Sequence, residues 1–208
     1  MFKGHNSMEK KERLFRAGRS LFKAKGYKDT SVSEITKKAS LATGTFYNYF
    51  SSKDHLFMEL FLEENRKLKQ RIMKTIDLDR DPMSIVEELM VMNTVGMRKN
   101  PILREWYNRE VFERIEQTYR EVKGIEQVGF VYDVFFDLVK RWQQTGIMRD
   151  DIPPEMVMAI FHSIITIDTR KEEIGIQYFP KLIDHLVGFV MEGLKKETEA
   201  NRTTRRIG

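Results

Sequence analysis

Side chains able to carry covalent or metal chemistry are scarce in this sequence. None of the 208 residues is a cysteine, so thiolate nucleophiles, disulfides and cysteine metal sites are excluded. The four histidines are scattered, and no His/Glu set has metal-ligand spacing. Asp150 and Asp151 are adjacent acids, yet they precede Pro153-Pro154 and read as a loop boundary rather than a catalytic pair. No catalytic residue, metal or cofactor is expected. The chemistry that remains is electrostatic. Residues 1–53 hold 12 Lys and Arg against 4 Asp and Glu, a net +8 in a chain whose total is +5, which leaves −3 for the remainder. Clustered cations on a small module suit phosphate binding, because Lys and Arg displace condensed counterions from nucleic acid. On charge alone a solvated basic face fits equally well.

The elements that carry this charge are helical. Leu14, Phe15, Leu21 and Phe22, with Ala17 and Gly18 between them, recur at helical spacing within Met8–Lys25, and Gly26 follows as a stop signal. Ser31 with Glu34 three residues on forms a capping box that opens a second helix over Val32–Ala39. A link at Ser40–Ala42 precedes Thr43 to Phe50, and another helix begins near Ser52 with Leu56, Phe57, Leu60 and Phe61 inward. Two short helices around a tight turn, supported by longer ones, make a helix-turn-helix, whose second short helix can enter a DNA major groove.

Beyond Asp77 the helical period continues in blocks: Met83–Lys99, Ile102–Gln117, Val122–Gln144, Pro154–Lys171 and Phe179–Lys196. The breaks fall at Asp81-Pro82, Asn100-Pro101, Gly146, Pro153-Pro154 and Gly175, all ordinary turn chemistry. The expected fold class is all-α, a three-helix helix-turn-helix module followed by a larger C-terminal helical bundle. Residues 1–53 are assigned to the helix-turn-helix domain, 54–198 to the larger helical domain, for which the family resemblance given below implies ligand binding and dimerisation, and 199–208 to a basic tail. With no signal-like N-terminus and no run of about 18 apolar residues, no membrane segment is expected and the cytoplasm is the default location.

The spaced set Leu14, Ala17, Leu21, Phe22, Gly26-Tyr27, Thr30-Ser31-Val32, Ile35, Ala39, Gly44-Thr45-Phe46-Tyr47-Asn48-Tyr49-Phe50 and Ser52-Lys53-Asp54 resembles the TetR (tetracycline-repressor-like) family of bacterial transcriptional regulators. The likeness is dense over Arg13 to Leu56 and elsewhere extends only to length and helical character. It implies that Thr43, Gly44, Thr45, Tyr47 and Asn48 lie on or near the recognition helix. Such residues suit DNA: glycine permits close backbone approach, threonines reach phosphate or a thymine methyl, and Asn48 can pair with adenine. Tyr47 and Lys53 are expected at phosphates, and Thr30 or Ser31 can donate to one, although capping is the leading role for that pair. Ala42 stands where many relatives carry a capping hydroxyl. Phe46, Tyr49 and Phe50 are assigned to packing, beside Leu21 and Ile35.

For the larger domain the resemblance implies a four-helix dimer interface made by two helices of each chain. Phe161, Ile164 and Ile165 on one helix, and Leu182, Leu186, Phe189 and Val190 on the other, give fitting apolar stripes, with intrachain core as the plainer reading of each. A pocket for a small molecule is implied too. Trp106, Tyr107, Tyr132 and Phe136 are candidate apolar walls, with Asn93, Arg109 and His162 as orienting polar groups, though each aromatic also reads as plain core. The expected partners are a double-stranded DNA operator, a second copy of the chain and an inducer, apolar or aromatic in character. The resulting expectation is a homodimeric repressor whose two recognition helices match two half-sites until ligand favours another separation. A regulator of the same fold without small-molecule control, architectural or partner-controlled, is the alternative. A helical enzyme lacks equipment, and a membrane-surface role would want one broad amphipathic stripe.

Overall fold

Each glycine expected to break a helix does so by leaving the right-handed region: Gly26, Gly146 and Gly175 have φ of 83°, 72° and 121°. The computed structural model describes residues 3–122, 129–179 and 181–196, with side chains from Ser7 onward. Among the described residues the architecture is all-α: ten α-helices, short 3-10 turns and one isolated antiparallel bridge, between Met148 and Lys195. The chain divides into two units, one of residues 1–74 and 91–127, the other of residues 75–90 and 128–208.

The first unit opens with α1 (Lys3–Lys25), which turns Leu14, Ala17 and Phe22 inward. Its partners are α2 (Val32–Lys38), α3 (Thr43–Tyr47) and α4 (Lys53–Thr75). Ile35, Ala39, Phe46, Phe50, Leu56, Phe57 and Leu60 complete the core, and each fully buried aromatic contributes roughly 1.5–3 kcal/mol relative to exposure. Phe57 sits edge-on to Phe22 at 5.1 Å and to Tyr27 at 5.0 Å. At Gly18 a Cβ would stand 2.9 Å from Leu56 Cδ2, so the close crossing of α1 and α4 requires glycine. The expected functional boundary at residue 53 lies inside this unit, because α4, which begins there, supplies the floor under α1–α3. The unit also holds the second part of α5 (Pro82–Lys99), a 3-10 helix at Leu103–Tyr107 and α6 (Arg109–Glu121). Trp106 joins the 3-10 helix and α6 to α4, stacked on Phe61 at 5.4 Å and edge-on to Phe112 at 4.8 Å.

The second unit is built from the first part of α5 with α7 (Gly129–Gln144), α8 (Pro154–Asp168), α9 (Lys171–Ile174) and α10 (Lys181–Leu194). Val86, Ile164, Val187 and Met191 form its buried centre, ringed by Met83, Met90, Phe135, Ile160, Phe161, Ile183, Leu186 and Val190. The α7–α8 link is fastened to the end of α10 by backbone bonds from Arg149 N to Leu194 O (2.9 Å) and from Lys196 N to Ile147 O (3.3 Å).

Three helix expectations are corrected. Ile102–Gln117 is not continuous: a 3-10 helix runs to Tyr107, and Asn108, at ψ 108°, interrupts it before α6 extends to Glu121. Pro154–Lys171 ends early at Asp168, where Thr169 caps the helix and its hydroxyl donates to Thr166 O at 2.7 Å, before the single turn of α9. Val122 closes α6 rather than opening the Val122–Gln144 block; α7 is described from Gly129, and residues 123–128 lie outside the described ones, as does the tail 199–208.

Candidate nucleic-acid interface

The turn between α2 and α3 holds a non-glycine residue at positive φ. Ser40 adopts φ 53°, a left-handed conformation that non-glycine residues enter at a cost. Arg13, reaching across from α1, donates to Ala39 O at 2.6 Å and Ser40 O at 3.2 Å, so carbonyls left open by the end of α2 are satisfied by a cation. The start of α2 carries the full capping box. Ser31 Oγ accepts from Glu34 N at 3.2 Å, while the Glu34 carboxylate accepts from Ser31 N at 2.9 Å and from the Ser31 hydroxyl at 2.9 Å. Lys25 pairs with the same carboxylate at 2.5 Å, and this ion pair together with the Ser31 bonds holds the Glu34 carboxyl at about 2.

On α3, Phe46 is wholly buried and packs against Phe50 at 5.5 Å, leaving the opposite face in solvent. That face presents Thr43, Gly44, Tyr47 and Asn48, all exposed, with Tyr47 58% exposed; Thr45 is half-buried. A Cβ at Gly44 would meet nothing within 4 Å, so its hydrogen leaves open surface rather than relieving an internal contact. Thr43 Oγ1 lies 3.4 Å from Thr36 Oγ1 across the turn. Ala42 holds the N-cap position with no side-chain cap bond, the geometry its side chain dictates. Tyr49, grouped by sequence with the core aromatics, is half-buried, and its hydroxyl lies 3.2 Å from Ser7 Oγ.

Thr30 and Lys53, expected from the resemblance at phosphates, bond within the module. Thr30 is buried and its hydroxyl donates to Gly26 O at 2.8 Å, closing a turn after α1. Lys53 Nζ donates to Tyr27 O and Thr30 O, both at 3.0 Å, and stands 4.0 Å from the centre of the Tyr27 ring. Burial pushes the Lys53 ammonium below the usual lysine range. Tyr27 moves the other way: burial raises its phenol, and the Asp54 carboxylate accepting its proton raises it further. The roles of Arg13, Ser40 and Tyr27 were not legible as such. Arg13 is 26 positions from the carbonyl it caps, and only the turn residue Ser40, in a link already expected to be tight, left a local signal.

The ligand candidates fall in both units. In the first, Trp106 is core, Asn93 accepts from Lys69, Tyr107 lies under Arg98 at 5.8 Å and Arg109 pairs with Glu113 at 3.2 Å. In the second, Tyr132 stacks on Phe136 at 6.1 Å along α7, Lys140 stands over Phe136 at 4.1 Å, and His162 is exposed on α8. The interface candidates divide likewise. Ile164 is buried in its own unit; Phe161, Leu182, Leu186 and Val190 are half-buried; Ile165 and Phe189 are 56% and 73% exposed.

Two short helices joined by a fixed turn, the second offering a polar face from a rigid apolar base, define a helix-turn-helix DNA-binding protein. Residues 14–60 match the model for bacterial regulatory proteins of the tetR family. Over 192 residues, 90% of this chain and 85% of that one, the sequence is 25% identical to YdgC, an uncharacterized HTH-type transcriptional regulator of Bacillus subtilis. Over 128 residues, 62% of this chain and 58% of the relative, it is 27% identical to the HTH-type transcriptional repressor KstR of Rhodococcus jostii. Among solved structures, Thermus thermophilus FadR, a TetR-family transcriptional repressor in complex with lauroyl-CoA, shares the fold with a TM-score of 0.61 at 21% identity, over 91% of this chain and 97% of that one. Residues 14–60 thus carry the DNA-binding segment of the tetR family of bacterial regulatory proteins, and the chain is a DNA-binding transcriptional regulator by its likeness to HTH-type regulators.

Proposed function

We propose that this regulator is a repressor that binds a two-half-site operator as a homodimer and is released by a small apolar or aromatic molecule. The observation that carries the DNA-reading part is the solvent-facing surface of α3. Thr43, Gly44 and Tyr47 on α3 and its C-cap Asn48 are exposed, with Thr45 half-buried beside them, around an inner residue, Phe46, that is wholly buried. Tyr47 donates to a phosphate, Asn48 reads an adenine edge, the two threonines take phosphate or thymine-methyl contacts, and Gly44 admits the DNA backbone. Ser31 sits at the exposed start of α2. Its hydroxyl is engaged with Glu34, so its contribution is to orient that helix. With short side chains on α3, part of the sequence preference rests on DNA shape.

Residues 1–53 thus read DNA, while 54–198 carry dimerisation and ligand response. Ile165 and Phe189 support a dimer through α8 and α10, since exposed aliphatic and aromatic groups on adjacent helices are what a second copy would cover. Ligand response is supported by FadR, whose structure holds lauroyl-CoA, and by the aromatic side chains Tyr132 and Phe136 on α7. No described helix is long and apolar enough to cross a membrane. The cytoplasm is the location that work on a DNA operator calls for.

The test is selection of a binding site from random duplex DNA, followed by titration of wild type and Tyr47→Ala. A selected site with two related halves, bound by a dimer and weakened at least tenfold by the substitution, supports the reading. Binding no tighter than to random duplex overturns it. An inducer screen on the same complex then separates ligand control from control by a partner: loss of operator affinity on adding an apolar or aromatic compound is the expected result.

A further inference from the structure

The connector between α1 and α2, residues 26–30, is held from two sides. From α4, the Lys53 ammonium donates to Tyr27 O and Thr30 O at 3.0 Å each and rests against the Tyr27 ring at 4.0 Å, while the Tyr27 hydroxyl donates to the neighbouring Asp54. From the 3-10 helix before α6, the buried Glu105 carboxylate accepts from Tyr27 N at 3.4 Å, and its Oε1 stands 3.0 Å from where a Cβ on Gly26 would be. Lys28 pairs with Glu110 at the start of α6. An ammonium has three N–H groups. Two of these are committed to carbonyls, and an aromatic face covers part of the remaining surface. Carbonyl oxygens 27 and 30 would be left without that cation if Lys53 swung out to a phosphate, and Thr30 immediately precedes Ser31, the N-cap of α2.

We propose that Lys53 is a positioning residue: it fixes the 26–30 connector, and through it the N-cap of α2, and so supports operator binding without touching a phosphate. This rests on the DNA-binding reading above. The two roles differ in salt dependence. A lysine at a phosphate adds about 0.9 to the slope of log affinity against log salt concentration, whereas an internal tie adds affinity but no slope.

The experiment measures operator affinity at several salt concentrations for wild type, Lys53→Met and Lys53→Gln, with amide hydrogen exchange over residues 27–36 in each free protein. Lys53→Gln keeps a neutral donor should the methionine variant fail to fold. The expected result is parallel salt lines, an affinity about tenfold lower for Met and less reduced for Gln, and faster exchange across the connector and the first turn of α2. A slope reduced by about one unit in both variants, unchanged affinity, or unchanged exchange with lowered affinity would each overturn the proposal. If wild type itself selects no DNA sequence, the regulator reading fails first, and that outcome is recognised without any variant.

Discussion

Ser40 and Glu34 show how single residues set the recognition surface. Ser40 occupies left-handed space at φ 53° with its carbonyl held by Arg13. Glycine there relieves strain but raises the entropy of the unfolded chain, whereas a β-branched residue suffers the full conformational cost. Ser40→Gly is therefore expected to keep or slightly raise thermal stability, and Ser40→Val to lower it by about 1–2 kcal/mol in denaturant unfolding. Equal stability of the two variants would contradict the strain assignment. Glu34 lends itself to a pH test. Its carboxyl is depressed from 4.5 to about 2 by Lys25 and then by the Ser31 bonds, so its contribution is fully present above pH 4.5 and fades as pH falls toward 2. Wild type should be more stable than Glu34→Gln at pH 6, and the gap should close between those values; a pH-independent gap would point to packing instead. Tyr47, 58% exposed, contributes little to folding, so Tyr47→Ala should leave the melting temperature nearly unchanged.

At the scale of elements, local chemistry was legible and long-range chemistry was not. The capping box at Ser31 and Glu34, the stop at Gly26 and the breaks at Gly146 and Gly175 are short-range signals, and they mark real boundaries. Of the three aromatics read as packing, Phe46 and Phe50 are buried and Tyr49 is half-buried. What could not be read was a cation's choice of partner. Lys53 finds carbonyls 23 and 26 positions away, a contact with no periodicity to announce it. The break at Asn108 was similarly hidden, because no glycine or proline stands between Ile102 and Glu121 to mark the change of helix type. The crossing of α1 and α4 gives a stability prediction. An added methyl at Gly18 would stand 2.9 Å from Leu56 Cδ2, and Leu56 is itself wholly buried, so Gly18→Ala should destabilise by about 1–3 kcal/mol despite better helix propensity. A stabilised variant in chemical denaturation would show that the crossing can open freely.

At the scale of the whole molecule, a DNA-reading module is followed by helices whose exposed apolar groups want a partner. The basic N-terminal segment, +8 over residues 1–53, supplies the charge for DNA, while α8 and α10 leave Ile165 and Phe189 in solvent in a single chain. A two-half-site operator and a homodimer are mutually dependent in this account. Phe189→Glu, which places a carboxylate on that face, should shift sedimentation toward monomer and lower operator affinity; a dimer persisting unchanged would move the interface elsewhere.

The measurement that bears most directly on the central claim is a salt-dependent titration of the protein against duplex DNA selected from a random pool, with Tyr47→Ala beside wild type. The account predicts saturable binding to a two-part site at two chains per duplex, weakening steeply as salt rises and at least tenfold weaker for Tyr47→Ala at every salt concentration. Binding indifferent to sequence, or selective binding that Tyr47→Ala leaves intact, would contradict the assignment of the α3 face as the reading surface.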